Sequence, residues 1–183
     1  EVLLLTEVRS PQLLAPDSTV SLQGHTTWVA CKEVCVKGEA GVSLSLPVTA
    51  QEGGRDPQWA DRFAQAKAAL PIRAPADWEL SAIRHRDDRT LTLHVAVPAG
   101  LNQDGPDVGF FPEDLGVVDN AAPQTVWKTQ ATPGYTIQLK RSSVATSPPT
   151  RLRGVLVSQE GWFGPGSARA LQVDVPITPS LPR

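Results

Sequence analysis

Residues 91–97 read LTLHVAV, an alternation that decides the fold class. Successive side chains of a strand point to opposite faces, so the leucines and valines share one face and His94 lies on the other. Residues 78–82, WELSA, alternate in the same way, and the charged segment RHRDDR at residues 84–89 separates the two stretches. We therefore predict a β-hairpin with one buried face and a solvated turn.

The rest of the sequence extends this β pattern. The chain has 17 prolines and 14 glycines among 183 residues, spread between short apolar runs, which argues against a helical bundle. From Trp78 onward the pattern gives about six or seven strands, enough for a complete immunoglobulin-like sandwich. Residues 161–166, GWFGPG, predict a hairpin tip whose aromatic side chains either pack over the end of the sandwich or contact a partner.

One short helix is predicted between the β stretches. Asp56 is a candidate N-cap, and Pro57 suits the first helical position. An apolar stripe through Trp59, Phe63 and Leu70 follows at helical spacing. We expect this stripe to pack on a sheet.

The predicted fold is mainly all-β, with immunoglobulin-like β-sandwiches and one short connecting helix. Residues 1–50 predict a partial β-sandwich, residues 51–75 a linker and helix, and residues 76–183 a second, complete sandwich. A single continuous domain over residues 1–183 is the alternative. Within the first part we expect strands at residues 2–8, 19–23, 26–30 and 42–48, and a loop at residues 38–41.

Charge and motifs narrow the functional classes. The formal net charge is −2, which gives no electrostatic footprint for nucleic acid or an anionic membrane surface. No apolar run approaches the roughly 18 residues of a membrane span. The sequence also contains no P-loop, dinucleotide fingerprint, HExxH or G-x-S-x-G motif. These signals point away from nucleic-acid, nucleotide and zinc-hydrolase chemistry.

The only two cysteines, Cys31 and Cys35, are the candidate catalytic residues. They are free thiols, a disulfide or metal thiolates. A disulfide requires Cα atoms within roughly 4.4–6.8 Å, whereas a straight strand separates positions i and i+4 by about 13 Å. A bridge between them therefore requires a tight turn or one helical turn over residues 32–34.

The chemistry of the pair stays open at this point. A structural disulfide would close a small ring, worth only about 2 kcal/mol in the chain-entropy model. Small local disulfides are often exposed and labile, which favours a redox role. The positive charge of Lys32 would lower a thiol pKa, whereas Glu33 would oppose it. As a metal site, two thiolates suit Cu(I), with His25 as the one candidate additional ligand.

Three stretches of the sequence carry a family resemblance. Residues 28–35 have the pattern W-x-x-C-K-x-x-C and are followed by the alternating VSLSLPV at residues 42–48; residues 1–5 read EVLLL, and residues 110–116 read FFPEDLG. Together they resemble the periplasmic domain of DsbD-type thiol–disulfide interchange proteins, most closely the ScsB-like branch linked to copper tolerance. The match is patchy but covers most of the chain.

The resemblance implies a periplasmic oxidoreductase, a protein-disulfide reductase whose redox pair is Cys31 and Cys35, supported by Trp28, Lys32 and Glu33. The implied partners are thioredoxin-like periplasmic proteins, together with transmembrane and thioredoxin-like domains of the same precursor. No cofactor, metal, nucleic acid or direct membrane insertion is expected. The chain begins at the strand that opens this part of the family's domain, so we expect the first sandwich to be incomplete here. The alternatives are a Cu(I)-binding module and a structural or interaction sandwich with a local disulfide.

Overall fold

The computed structural model describes residues 3–31, 34–51, 53–98, 107–129, 133–144 and 147–180. The chain divides into two compact units, Glu1–Ala64 and Gln65–Arg183. Strands dominate both units, and the one helix in the described residues is α1, Pro57–Ala68. The all-β prediction with one short helix is therefore confirmed.

The first unit is built on a long β-hairpin. Strand β1, Thr19–Cys31, pairs antiparallel with β2, Cys35–Pro47, in one unbroken register that starts at Thr19 opposite Pro47. Period two puts all the large apolar side chains of the two strands except Val29 on one face of this hairpin, which we call the apolar face; they are Val20, Leu22, Trp28, Val36, Val42, Leu44 and Leu46. None of the described hairpin side chains is buried.

Three sequence predictions in this unit are wrong. Residues 38–41 lie inside β2 rather than in a loop, because the glycines there are paired across the ladder. The predicted strands at residues 19–23 and 26–30 form one continuous strand. Residues 3–8 form no strand, since no described strand pairs with them, and Leu4 is 78% exposed.

The described part of the second unit contains eight strands: β3 (Ile72–Arg73), β4 (Glu79–Arg84), β5 (Thr90–Ala96), β6 (Val108–Pro112), β7 (Thr125–Lys128), β8 (Gly134–Lys140), β9 (Arg151–Ser158) and β10 (Ala170–Pro179). Their order is β6-β9-β10-β4-β5-β8-β7, and β3 also pairs with β10. Strand β10 is antiparallel to β9 up to Pro176 and parallel to β4 from Ile177 to Pro179. This arrangement is sandwich-like and agrees with an all-β immunoglobulin-like fold.

The core of the second unit confirms the pattern from which the fold was predicted. Strands β4 and β5 form the predicted antiparallel hairpin, and Leu91 and Leu93 are fully buried. His94 points to the other face and is half-buried, with Nδ1 3.1 Å from the Thr136 hydroxyl. Burial is the main cause that lowers the pKa of His94. The buried hydrophobic residues of these strands form one core cluster.

The aromatic segment at residues 161–166 joins the core. Trp162 is buried, and its indole N–H donates a hydrogen bond to the Arg169 carbonyl at 3.1 Å. Its ring meets Trp78 edge to face at 5.5 Å between centroids, and it meets Tyr135 similarly. Of the two predicted alternatives, Trp162 thus packs on the sandwich rather than contacting a partner.

Helix α1 begins as predicted but does not pack as predicted. The Asp56 carboxylate accepts a hydrogen bond from the Gln58 backbone N–H at 2.9 Å, an N-cap ahead of Pro57. No side chain of α1 is buried, and both Trp59 and Phe63 are exposed. Instead, the Arg62 guanidinium lies over the Trp59 ring, with its Cζ 5.2 Å from the ring centroid. The expectation that the apolar stripe packs on a sheet is therefore wrong for the described residues.

Candidate functional site

The two cysteines meet at the closed end of the β1–β2 hairpin. Cys31 is the last residue of β1, Cys35 is the first of β2, and the two are direct cross-strand partners. Directly opposed residues in an antiparallel pair have Cα atoms about 4.5–5.5 Å apart. That separation falls within the range a disulfide needs. The strand pairing thus brings the two cysteines to the separation that bridging requires.

Cys35 is exposed and disulfide-bonded. The sequence has one other cysteine, Cys31. No free cysteine occurs among the residues that the structure describes. Cys35 therefore stands at a solvent-accessible position, where a partner protein can approach it.

The three supporting residues predicted from sequence have different outcomes. Lys32 and Glu33 lie outside the described residues. Trp28 is three positions before Cys31, and an odd spacing on a strand puts it on the opposite face of the hairpin. The Trp28 side chain therefore does not lie beside the cysteines. It can affect them only through the hydrogen-bonded backbone of β1 and β2.

Period two identifies a charged neighbour that the sequence reasoning missed. Lys37 follows Cys35 by two residues in β2, so both side chains leave the same face about 6.6 Å apart along the strand. Its cross-strand partner on that face is Val29. An ammonium group near a thiol favours the thiolate. The signal was available in the sequence as a lysine at spacing two, but only once residues 35–47 are recognised as a strand.

His25 is too far from the cysteines to complete a metal site. It precedes Cys31 by six residues of one continuous strand, a distance of about 20 Å at 3.3 Å per residue. Its Nε2 instead lies 3.9 Å from the Glu39 carboxylate, with both side chains exposed. Among the described residues, no group of three or more His, Cys, Asp or Glu side chains could hold a metal ion. His25 as an additional Cu(I) ligand is thus contradicted by this geometry.

The indole of Trp28 lies across Gly38, its partner in β2. A Cβ atom built on Gly38 would sit 2.6 Å from both Cζ2 and Nε1 of the Trp28 ring, far inside ordinary contact distance. The Trp28 side chain is still 49% exposed, so the contact joins the two strands rather than filling a core. Only glycine at position 38 leaves room for the ring in this position.

Comparison of the chain with protein-family models, curated proteins and solved structures found no match. The site therefore has to be judged on its own geometry. Within the described residues, the structure contains no helix with the length and apolar character needed to cross a membrane.

The second unit contains a charged cluster that is structural. Asp88, at the β4–β5 turn with φ of 53°, accepts a hydrogen bond from Arg84 at 2.7 Å and another from Arg141. The Arg84 hydrogen bond is the largest cause that lowers the pKa of Asp88. Arg141 also donates to the backbone carbonyls of Asp88 and Ser147, both at 3.0 Å. The cluster joins the turn to the end of β8, although the buried Nε of Arg141 has no hydrogen-bond partner.

Proposed function

We propose that this chain is a periplasmic thiol–disulfide oxidoreductase module, a protein-disulfide reductase that relays electrons through the Cys31–Cys35 pair to thioredoxin-like partner proteins. The observation that carries the proposal is the direct opposition of Cys31 and Cys35 at the end of a hairpin on which Cys35 is exposed. The W-x-x-C-K-x-x-C pattern at residues 28–35, with its resemblance to DsbD-type proteins, supplies the reaction class, the partners and the compartment.

The reaction is a two-electron exchange between two pairs of cysteines. In the reduced module, one cysteine thiolate attacks a sulfur of the partner's disulfide. A mixed disulfide forms, the partner's own disulfide breaks, and the leaving sulfur takes up a proton. The second cysteine of the module then loses its proton and attacks the module sulfur of the mixed disulfide. The partner leaves as a dithiol, and the module keeps the Cys31–Cys35 disulfide.

A dithiol of a thioredoxin-like domain would return the module to its reduced state. The same two steps run in reverse: the donor's thiolate attacks Cys31–Cys35, and the donor leaves oxidised. The proposal names this donor by chemical class, as the thioredoxin-like domain expected in the same precursor.

Two physical features of the hairpin support exchange. The resolving step needs the second sulfur next to the first, and the cross-strand pairing of Cys31 with Cys35 provides that proximity. The ring between them is short, so the bridge stabilises the folded state by only about 2 kcal/mol in the chain-entropy model, and by linkage the fold stabilises the bridge by no more. Cys35 is also exposed, as is typical of labile disulfides.

The reduction potential of the Cys31–Cys35 couple tests the proposal. The protein is equilibrated in glutathione or dithiothreitol redox buffers, and free thiols are trapped and counted. A potential between about −270 and −120 mV, the range of thioredoxin-like exchange proteins, is the expected result. A potential well below about −300 mV would mark a structural disulfide and overturn the proposal.

Turnover gives a second readout. The probe partner is an oxidised thioredoxin-like protein whose potential is about −120 mV, the upper end of that range, so that transfer from the module is favourable. The dithiothreitol-reduced module, freed of reductant, is the electron donor. We expect loss of the module's two thiols to match the appearance of two thiols on the probe. A module with both cysteines replaced by serine is the control and should transfer nothing.

A further inference from the structure

The register of the β1–β2 hairpin decides whether its cysteines can react with each other. In the observed register Cys31 faces Cys35. A slip of two residues would put Cys31 opposite Lys37, and the sulfur-bearing residues would then be diagonal neighbours about 7–8 Å apart. A slip of one residue would move the side chains to different faces. The pair therefore depends on a register that something in the hairpin must specify.

No neighbouring strand fixes this register, because no third described strand pairs with either β1 or β2. Isolated two-stranded hairpins are marginal in water, and strands with weakly specified pairing are prone to slip. A local contact that fits only one register would remove this freedom, particularly in the reduced protein, where no disulfide holds the strands.

Trp28 and Gly38 form such a contact. The indole occupies the space where any other residue at position 38 would carry its Cβ. In a two-residue slip, Trp28 would face Val36 or Ala40 instead, and both have a Cβ at that place. The ring therefore fits flat across β2 only when it is opposite Gly38. Gly24, opposite Val42, adds a weaker preference of the same kind, with a built Cβ 3.2 Å from Val42 Cγ2.

We infer that Trp28 and Gly38 are positioning residues, which set the register that holds Cys31 opposite Cys35 for thiol–disulfide exchange. The inference rests on the proposed function for its chemical consequence. The contact lies three register pairs from the cysteines and on the opposite face of the hairpin. It therefore acts on the redox couple through the backbone ladder, and neither residue has to touch a partner.

Gly38→Ala tests the inference, with Gly41→Ala as the matched control. Both glycines lie in β2, and neither has a positive φ that would strain an alanine. A Cβ on Gly41 would meet nothing within 4 Å, whereas a Cβ on Gly38 collides with the indole. The two substitutions add the same methyl group to the same strand, so their difference isolates the Trp28 contact.

The expected result is a shift of the glutathione equilibrium toward the reduced form in Gly38→Ala alone. The disulfide requires the native register and the dithiol does not, so displacing Trp28 penalises the oxidised form more. We expect about a tenfold change in the equilibrium constant, which corresponds to about 30 mV. Gly41→Ala should stay within about twofold of the parent protein, the range expected for a strand substitution without a clash.

A double-substitution cycle keeps the result interpretable if Gly38→Ala folds poorly. Once Trp28→Ala has removed the ring, adding Gly38→Ala should shift the equilibrium no further. Equal shifts in Gly38→Ala and Gly41→Ala, no shift in either, or additive effects of Trp28→Ala and Gly38→Ala would each overturn the inference. The reduction potential of the parent protein tests the exchange function separately. A potential typical of a structural disulfide would overturn that function but would leave the comparison between the variants valid.

Discussion

Cys31 and Cys35 are the terminal pair of a ladder in which every residue of β1 from Thr19 onward has a partner in β2. The ladder places the two cysteines opposite each other with only three residues between them in the chain. It also fixes what surrounds them. Residues at spacing two share their face, and residues at odd spacing are excluded from it. The chemical environment of the pair thus follows from strand geometry.

Lys37 is predicted to promote thiolate formation at Cys35 in the reduced protein. It is the described cation closest along β2 on the cysteine face. Replacing it by glutamine should raise the pKa of the Cys35 thiol, because the nearby positive charge is lost. The pH dependence of iodoacetamide alkylation, read site by site by mass spectrometry, measures this shift.

The matched control for Lys37 is Glu39→Gln, which removes a charge of the opposite sign one step further along the same face. Its effect on Cys35 should be smaller and of opposite direction, since Coulomb interactions weaken with distance and with salt. An alkylation profile unchanged by Lys37→Gln would mean that the lysine does not act on the thiol.

The strand pattern of the second unit was predictable because alternate side chains of its strands are buried, which gives the sequence a period of two. Residues 91–97 alternate so regularly that the paired β4–β5 hairpin could be identified with its charged turn. The same reasoning failed at Gly38 and Gly41, which indicate a loop when only local turn preference is considered. In the structure they lie within a strand, and one of them accommodates Trp28. Glycine had a cross-strand role there that no local pattern reveals.

The candidate site was predictable only in part for the same reason. The cysteine spacing required that the chain bring the two residues close together, and their pairing across the hairpin does so. The identity of the neighbours required the strand register, so Lys37 was missed and His25 was retained as a ligand candidate. Amphipathic spacing likewise placed Trp59 and Phe63 on one face of α1 but could not say that this face stays exposed.

Core and surface leucines of the second unit should differ sharply in their contributions to stability. Leu93 is 0% exposed and Leu115 is 96% exposed. Leu93→Ala should lower the free energy of unfolding by roughly 2–5 kcal/mol, because it removes buried contacts and leaves a cavity. Leu115→Ala should change it by less than about 0.5 kcal/mol. Urea unfolding followed by near-UV circular dichroism of the Trp78–Trp162 cluster measures both. Similar losses in the two variants would contradict the assigned core.

The stability of the second unit is predicted to fall in acid. A hydrogen bond from Arg153 lowers the pKa of Asp114 below its usual 3.8, and one from Lys140 does the same for Asp119. The unfolded chain therefore takes up protons at higher pH than the folded chain. The stabilisation is complete above about pH 5 and is lost as the pH falls through the lowered folded-state pKa values. Urea midpoints should fall slightly below about pH 7, because the lowered pKa of His94 leaves the unfolded chain with more protons there, and then decline further below about pH 5.

Asp114→Asn provides the control for this acid dependence. It removes the titrating group while keeping a side chain of similar shape, so the decline below about pH 4 should become shallower. The carboxylates are partly exposed, so the change is expected to be modest at neutral pH. An unaltered decline would show that groups other than the Asp114–Arg153 pair control acid stability.

Gln124 is predicted to close the open edge of β6, the strand at one end of the sheet order. Its Oε1 accepts the Phe110 N–H at 2.9 Å, and its Nε2 donates to the Phe110 carbonyl at 2.6 Å, so one side chain replaces a neighbouring strand. Gln124→Ala should cost about 1–3 kcal/mol of unfolding free energy, because both backbone groups lose their partner. Hydrogen exchange of the Phe110 amide should accelerate with it. Gln124→Glu retains the acceptor but not the donor, so it should protect that amide better than alanine does; equal exchange in both variants would contradict this role.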